Sequence, residues 1–374
     1  MSRHVSMSQP DIHTEDIELV IQVLKSNRLS LGPFLDRFEQ SFAAYIGSSH
    51  AIAVSSGTAG LHLCIRAADI GPGDEVITTP FSFVASANCI LYERATPVFV
   101  DIDESSLNID PRFVSAAVTD RTRAILPVHV FGQPCAMDDL TALSHKHDLV
   151  LIEDACEAIG AEFRGRRVGT FGKAAVFGFY PNKQMTMGEG GIITTDDAAW
   201  AATFRSLRNQ GRTEMGTWLC HERLGFNYRL DEMSAALGLS QLRRIDQLLE
   251  RRSRIAAFYD ALLRDVPGVT LLSPADTTTR LSWFVLVVRL HESISRNSVI
   301  DHLSEHGIPT RTYFSPIHLQ PYFKEQFGYL NGDFPVAERV ARSTLALPFH
   351  SNLSDADIEY VATGLKAAVQ LATA

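Results

Sequence analysis

The sequence has no surplus of basic charge: 34 lysines and arginines stand against 43 aspartates and glutamates, a formal net charge of −9. A polyanion groove needs the opposite balance, so no nucleic-acid partner is expected. Long apolar runs are also missing. None approaches the roughly 20 residues that cross a bilayer, and the opening MSRHVSMSQPD has no apolar signal core. No membrane association is expected. Cysteine is sparse and odd in number, with Cys64, Cys89, Cys135, Cys156 and Cys220 widely scattered. No pair has Cys-x-x-Cys spacing, which argues against a zinc knuckle, any metal centre of that type and a disulfide framework. A reducing, cytoplasmic setting fits that usage.

What is present is an ordinary soluble composition, 45% apolar and 21% charged. At 374 residues the chain exceeds one small core, and a large domain followed by a smaller one is expected. Residues 1–10 read as frayed. An amphipathic helix opens at Asp11, with Ile17, Val20, Val23 and Leu24 on one face. A second helix carries Phe34, Phe38, Phe42 and Tyr45 at about every fourth position and stops at Gly47; those aromatics read as core packing. From residue 51, short apolar runs at 51–54, 75–79, 98–102, 124–130 and 149–152 alternate with helix-length segments. Two more, at 176–180 and 190–194, follow. Such alternation implies an α/β fold with a central, mostly parallel sheet between helices, whose ligands bind where the strands end. Beyond residue 195 the chain reads as mostly helical, with long helices over 231–249 and 251–263. Strands at 269–272, 283–290 and 310–314 and helices at 295–306, 337–343 and 355–369 form a smaller α+β unit. The expected domains are 1–247 and 248–374.

Three stretches hold residues that make chemical sense together. The first strand runs into Ser55-Ser56-Gly57-Thr58-Ala59-Gly60 and then a helix. Small residues and free amides at a helix head suit a phosphate, although Ser-Gly-Thr is equally an ordinary helix cap. The strand at 149–152 enters Glu153-Asp154-Ala155-Cys156-Glu157. Successive carboxylates there are costly unless paired or functional: a metal-binding pair, a capping aspartate and a partner for a pyridinium nitrogen all remain open. Third, Lys183 stands between two buried strands, close to Gly188-Glu189-Gly190-Gly191. It is either a surface lysine or one losing water, and desolvation favours the neutral amine that attacks a carbonyl. Phosphate loop, strand-end aspartate and later lysine, in that order, describe a pyridoxal 5'-phosphate (PLP) site.

The ordered motifs reach further. Gly32 with its helix, SSGTA at 55–59, PFSFVASAN at 80–88, PVH at 127–129 and FGQP at 131–134 are followed by EDA at 153–155 and YPNKQMTMGEGG at 180–191. Arg208-Asn209 with Gly211, GFNYR at 225–229, Ala235-Ala236, Gln241-Leu242, PIH at 316–318 and FPVAE at 334–338 complete the series. From Asp11 to the C-terminal helix the chain resembles the DegT/StrS nucleotide-sugar aminotransferases, fold-type I PLP enzymes. The resemblance implies that Lys183 bonds the cofactor and moves the substrate proton, and that Asp154 pairs with the pyridinium nitrogen. It implies that Phe83 stacks on the ring, and that Gly57, Thr58 and Ala59 hold the phosphate. Asn227 and Arg229 are expected to enter a neighbouring active site, making a homodimer the catalytic unit, with Tyr313 and His318 near the substrate.

Two residues depart from the family pattern. Gly178 stands where a phosphate-binding serine is common, and Glu157 where a glutamine near the cofactor's phenolic oxygen is common. Glu157 is therefore expected protonated or turned away. The implied reaction moves an amino group from L-glutamate or glutamine to a nucleotide-linked keto sugar, a 4-keto-6-deoxyhexose or a 3-keto relative. Arg28, Arg208, Arg212, Arg229 and Arg311 are the candidates for binding the diphosphate. A dehydratase branch that lacks the lysine is disfavoured by Lys183. A cyclitol or aromatic-precursor ketone as acceptor, or a non-catalytic PLP-binding regulator, are the other readings.

Overall fold

The computed structural model of the chain describes residues 4–213 and 220–373. In chain order its strands are β1 (His50–Val54), β2 (Glu75–Thr78), β3 (Thr96–Phe99), β4 (Thr122–Ile125), β5 (Val150–Asp154), β6 (Glu162–Phe163) and β7 (Arg166–Arg167). They continue with β8 (Ala174–Gly178), β9 (Gly191–Thr195), β10 (Val269–Leu271), β11 (Thr278–Arg280), β12 (Leu286–Leu290) and β13 (Thr344–Leu347). The central sheet has the order β1-β9-β8-β5-β4-β2-β3. Its strands from β8 to β3 pair in parallel, while β9 is antiparallel to both neighbours. Side-chain alternation splits the sheet into two buried faces. Ile52, Ile152, Val176 and Ile193 join helix Gly57–Ala67 in one core; Ala53, Ala175, Phe177 and Ile192 join helix Pro33–Ile46 in the other.

Helix Pro33–Ile46 begins with proline after Gly32 and ends at Gly47, whose φ of 90° suits a residue without Cβ. Its Phe38 and Phe42 are fully buried and meet Phe177 and Phe179 edge-on, with centroids 5.2 to 5.8 Å apart. Burying two such rings contributes about 3 to 6 kcal/mol before entropy is counted. That packing fixes the end of β8, from which the chain turns toward Lys183.

The strands β10, β12 and β13 form an antiparallel sheet under helices Arg296–Glu305 and Asp355–Thr373. Tyr259, Val288, Leu303, Leu347, Val361 and Leu365 fill its core. Helix Ile245–Leu263 serves both cores: Ile245, Leu248 and Leu249 pack on the central sheet, and Ile255, Tyr259 and Leu263 on the C-terminal one. Residue 247 therefore lies inside a helix shared by the two. A second tie is Asp101, whose carboxylate accepts the N–H groups of Val336 and Ala337 at 2.8 Å, at the head of helix Pro335–Ser343.

Several expected elements fall differently. Residues 4–10 are not frayed: Val5 is buried and donates to Gly307, and the carbonyl of Met7 accepts from Phe349. The first helix spans Thr14–Lys25 and buries Val23, while Ile17 and Leu24 face outward; Asp11 is instead held by Arg244 and Arg251. The expected helix over 231–249 breaks at Arg244 (φ −117°, ψ 16°), whose guanidinium reaches back to Asp11 and Asp16. Residues 310–314 form no strand beyond one bridge from Arg311 to Ala346. Strand β12 starts only at Leu286, because the carbonyls of Trp283 and Phe284 are turned to Arg252.

Candidate active site

Strand β5 delivers two adjacent carboxylates to opposite faces of the sheet, and their environments differ. Glu153 is fully buried and receives the N–H groups of Gly169, Phe171 and Gly172, each at 2.8 Å. His129 lies 3.2 Å away through Nε2, and its Nδ1 accepts the Cys135 N–H at 3.0 Å, so the ring proton belongs on Nε2. Burial pushes the Glu153 carboxyl up, but the bonds from His129 and the loop amides outweigh it and the net shift is downward. Glu153 is thus a structural anchor. Asp154 is also buried, and among the described residues its carboxylate accepts the Cys156 N–H at 3.1 Å. Burial is the dominant influence there and raises its pKa, against the bond from Cys156 and the charge of Lys183. Among the described residues that carboxylate forms no ion pair.

Lys183 sits in the connection from β8 to β9, its backbone N–H bonded to the Tyr180 carbonyl at 2.9 Å. Its Nζ is 3.6 Å from Glu157 Oε1 and 3.8 Å from the centroid of the Phe284 ring. Glu157 is buried and faces the amine; its Oε2 accepts the Phe131 N–H at 2.9 Å. Burial raises its pKa, opposed by the charge of Lys183 and the Phe131 N–H. Tyr313 packs on Phe131, Phe284 and Phe314, and burial followed by the Glu157 charge raises its pKa. Sequence reasoning missed Phe284 and its neighbours. Ser282 N–H bonds the Gly132 carbonyl at 3.1 Å, and Gln184 donates to the Ser282 hydroxyl at 2.8 Å. This strap lies about a hundred residues from Lys183, in a stretch with no motif of its own.

At the carboxyl end of β1, Ser56 caps helix Gly57–Ala67 by accepting the Ala59 N–H at 3.1 Å. Ala59 is thereby engaged. Gly57 and Thr58, as the first two helical residues, have no carbonyl of their own helix to bond. A Cβ on Gly57 would stand 2.7 Å from Cys156 Sγ, and one on Gly191 would stand 2.5 Å from the Ser56 oxygen. A Cβ on Gly178 would meet Cys156 Sγ at 3.4 Å. The helix head, Cys156 and Gly178 therefore converge beside Asp154. Buried acid, half-buried amine and a glycine-lined helix head are the donor set that PLP requires, and the residues fit that group.

The remaining expected site residues have local partners or exposure of their own. Phe83 is 63% exposed, so it is not a core residue. Asn227 is exposed and bridges Asn209, and Arg229 donates to the Asn209 Oδ1 at 3.1 Å. His318 is fully buried against Phe334, with Nε2 3.2 Å from Glu338 Oε1; its contacts do not include Lys183, Asp154 or Glu157. Arg208 is buried with Glu39 and the Ala53 carbonyl, and is not free for a diphosphate. Among the described residues no helix is long and apolar enough to cross a membrane, and no cluster of His, Cys, Asp or Glu has the makings of a metal site.

Sheet order and site together define a fold-type I PLP aminotransferase architecture. Residues 10–366 match the DegT/DnrJ/EryC1/StrS aminotransferase family, and the chain belongs to it. It is 41% identical to the spore coat polysaccharide biosynthesis protein SpsC of Bacillus subtilis, over 95% of this chain and 94% of that protein. It is 39% identical to the GDP-perosamine synthase of Caulobacter vibrioides, over 96% of this chain and 97% of that one. Helicobacter pylori PseC, an aminotransferase of pseudoaminic acid biosynthesis, superimposes with a TM-score of 0.94 at 28% identity, covering 99% of this chain and all of PseC.

Proposed function

We propose that this chain is a PLP-dependent aminotransferase that moves an amino group from L-glutamate, or glutamine, to a nucleotide-linked keto sugar, a 4-keto-6-deoxyhexose by first preference. The observation that carries the reading is the meeting of Lys183 with the buried Glu157 carboxyl, its charge also acting on the buried Asp154, beside a glycine-lined helix head. The names of the Caulobacter and Helicobacter relatives, both concerned with amino sugars, support a sugar acceptor. Bound PLP supplies the electron sink that lets a proton leave the carbon bearing the amine.

This chain's residues do the rest. Lys183 Nζ takes and returns that proton, and its short tether between two strands limits where the amine can go. Asp154, at the end of β5, favours positive charge on a ring nitrogen facing it, a partner that its own surroundings withhold. Gly57 and Thr58 present amides to a phosphate. Phe83, exposed as it is, offers a ring to the cofactor's face. Phe131, Phe284 and Tyr313 wall the pocket against water. Asn227 and Arg229, exposed or half-exposed, reach a second subunit's site in a homodimer. The test is the absorption spectrum of PLP-loaded protein before and after L-glutamate, then after candidate keto sugars. Loss of the visible band with glutamate, and its return with a keto sugar, is the expected result. A band that every amino donor leaves unchanged would overturn the reading.

A further inference from the structure

Arg252, on helix Ile245–Leu263, is 3% exposed, and among the described residues it forms no ion pair. Burial lowers its pKa to about 10, with only the charge of Asp11 opposing. A cation withdrawn from water without a counter-charge is costly, and it persists where its hydrogen bonds serve something. Those bonds go to three backbone carbonyls: Trp283 at 3.3 Å and Phe284 at 3.1 Å from Nη1, and Lys183 at 3.2 Å from Nη2. Two of the three belong to the site. One is the carbonyl of the reactive lysine itself; another belongs to Phe284, whose ring lies 3.8 Å from the lysine's Nζ. One planar guanidinium thus fixes both the root of the lysine side chain and the floor over which it extends. The next residue repeats the tie, since Gln184 bonds Ser282, two residues before Phe284.

We propose that Arg252 is a positioning residue for Lys183, a fork that holds the lysine's backbone against the Phe284 strap so that its amine meets the carbonyl it attacks. This rests on the reading of Lys183 given above. A lysine at position 252 would keep the charge but offer no planar fork to span the two carbonyls. A merely structural tie would change how firmly the protein folds and leave the lysine's reach alone.

The test compares wild type, Arg252→Met and Arg252→Lys. The cofactor-free proteins are mixed with PLP, quenched with borohydride at intervals, and the fraction of bound PLP fixed on Lys183 is read by peptide mass. Melting temperatures are measured alongside. The expected result is fixation per bound cofactor about tenfold slower in Arg252→Met, with Arg252→Lys in between. Wild-type rates in both variants, whatever their melting temperatures, would overturn the proposal. Should Arg252→Met not fold, Arg252→Lys decides alone: slower fixation supports the role, and an unchanged rate refutes it. Wild-type protein that binds PLP without fixing it on Lys183 would overturn the proposed function, and the role of Arg252 with it.

Discussion

Glu157 faces Lys183 across 3.6 Å, and its other oxygen is held by the N–H of Phe131 at 2.9 Å. The carboxyl is oriented toward the amine rather than turned from it, and burial raises its pKa. A raised acid keeps its proton in the folded protein at pH values where the unfolded chain has lost it. Stability therefore falls as pH climbs above the ordinary carboxylate range. Glu157→Gln keeps the shape and the Phe131 bond but removes that slope. In cofactor-free protein the melting temperature of the variant relative to wild type is expected to rise with pH, by on the order of 1–2 °C between pH ~5 and ~8. A difference that stays flat with pH would show that Glu157 is ionised like an exposed carboxylate.

Glu153 should behave in the opposite sense. Its net downward shift means that it stabilises the fold above the ordinary carboxylate range and ceases to do so as pH falls. Glu153→Gln is expected to cost about 3 kcal/mol at neutral pH in a urea titration, with the deficit narrowing in acid. Asp154→Asn is expected to leave the cofactor-free fold nearly intact while transamination falls at least about 100-fold. Equal losses of stability in the two variants would erase the distinction between anchor and site.

Gly178 offers space where Gly191 does not. A side chain at 178 meets Cys156 Cβ and Sγ at 3.4 Å, an ordinary contact, and lies 3.9 Å from the Gly57 Cα. Gly178→Ser is expected to fold normally and bind PLP up to about tenfold tighter, by one added hydrogen bond to the phosphate. Gly191→Ala forces a Cβ to 2.5 Å from the Ser56 oxygen and 2.6 Å from the Gly57 N–H nitrogen, and backbone cannot yield as a side-chain tip does. It should weaken PLP binding and lower the melting temperature. Spectroscopic titration of both variants checks the pair.

The central sheet was legible because its strands are short apolar runs separated by helices, and Lys183, Asp154 and Glu157 because each follows such a run. The expected edges of β3 and β4 ran three and five residues too far, into Val100–Ile102 and Leu126–Val130, since apolar residues and single backbone bonds to the neighbouring strands continue past the regular pairing. Phe284 and Arg252 carried no signal. An arginine on a helix reads as a solvent-facing residue, and only the fold brings its fork to the carbonyls of Lys183 and Phe284. The burial of His318 against Glu338 carried no signal either, since it depends on a loop closing through Gly332 and Phe334.

The most direct measurement is to saturate the protein with PLP, reduce it with borohydride, and locate the fixed cofactor by peptide mass in wild type and Lys183→Ala. The expected result is one modified site, Lys183, and no fixation in a folded Lys183→Ala protein that still binds PLP through Asp154 and the helix at Gly57. Cofactor fixed on another lysine, or Lys183→Ala protein turning over at the wild-type rate, would contradict the role assigned to Lys183.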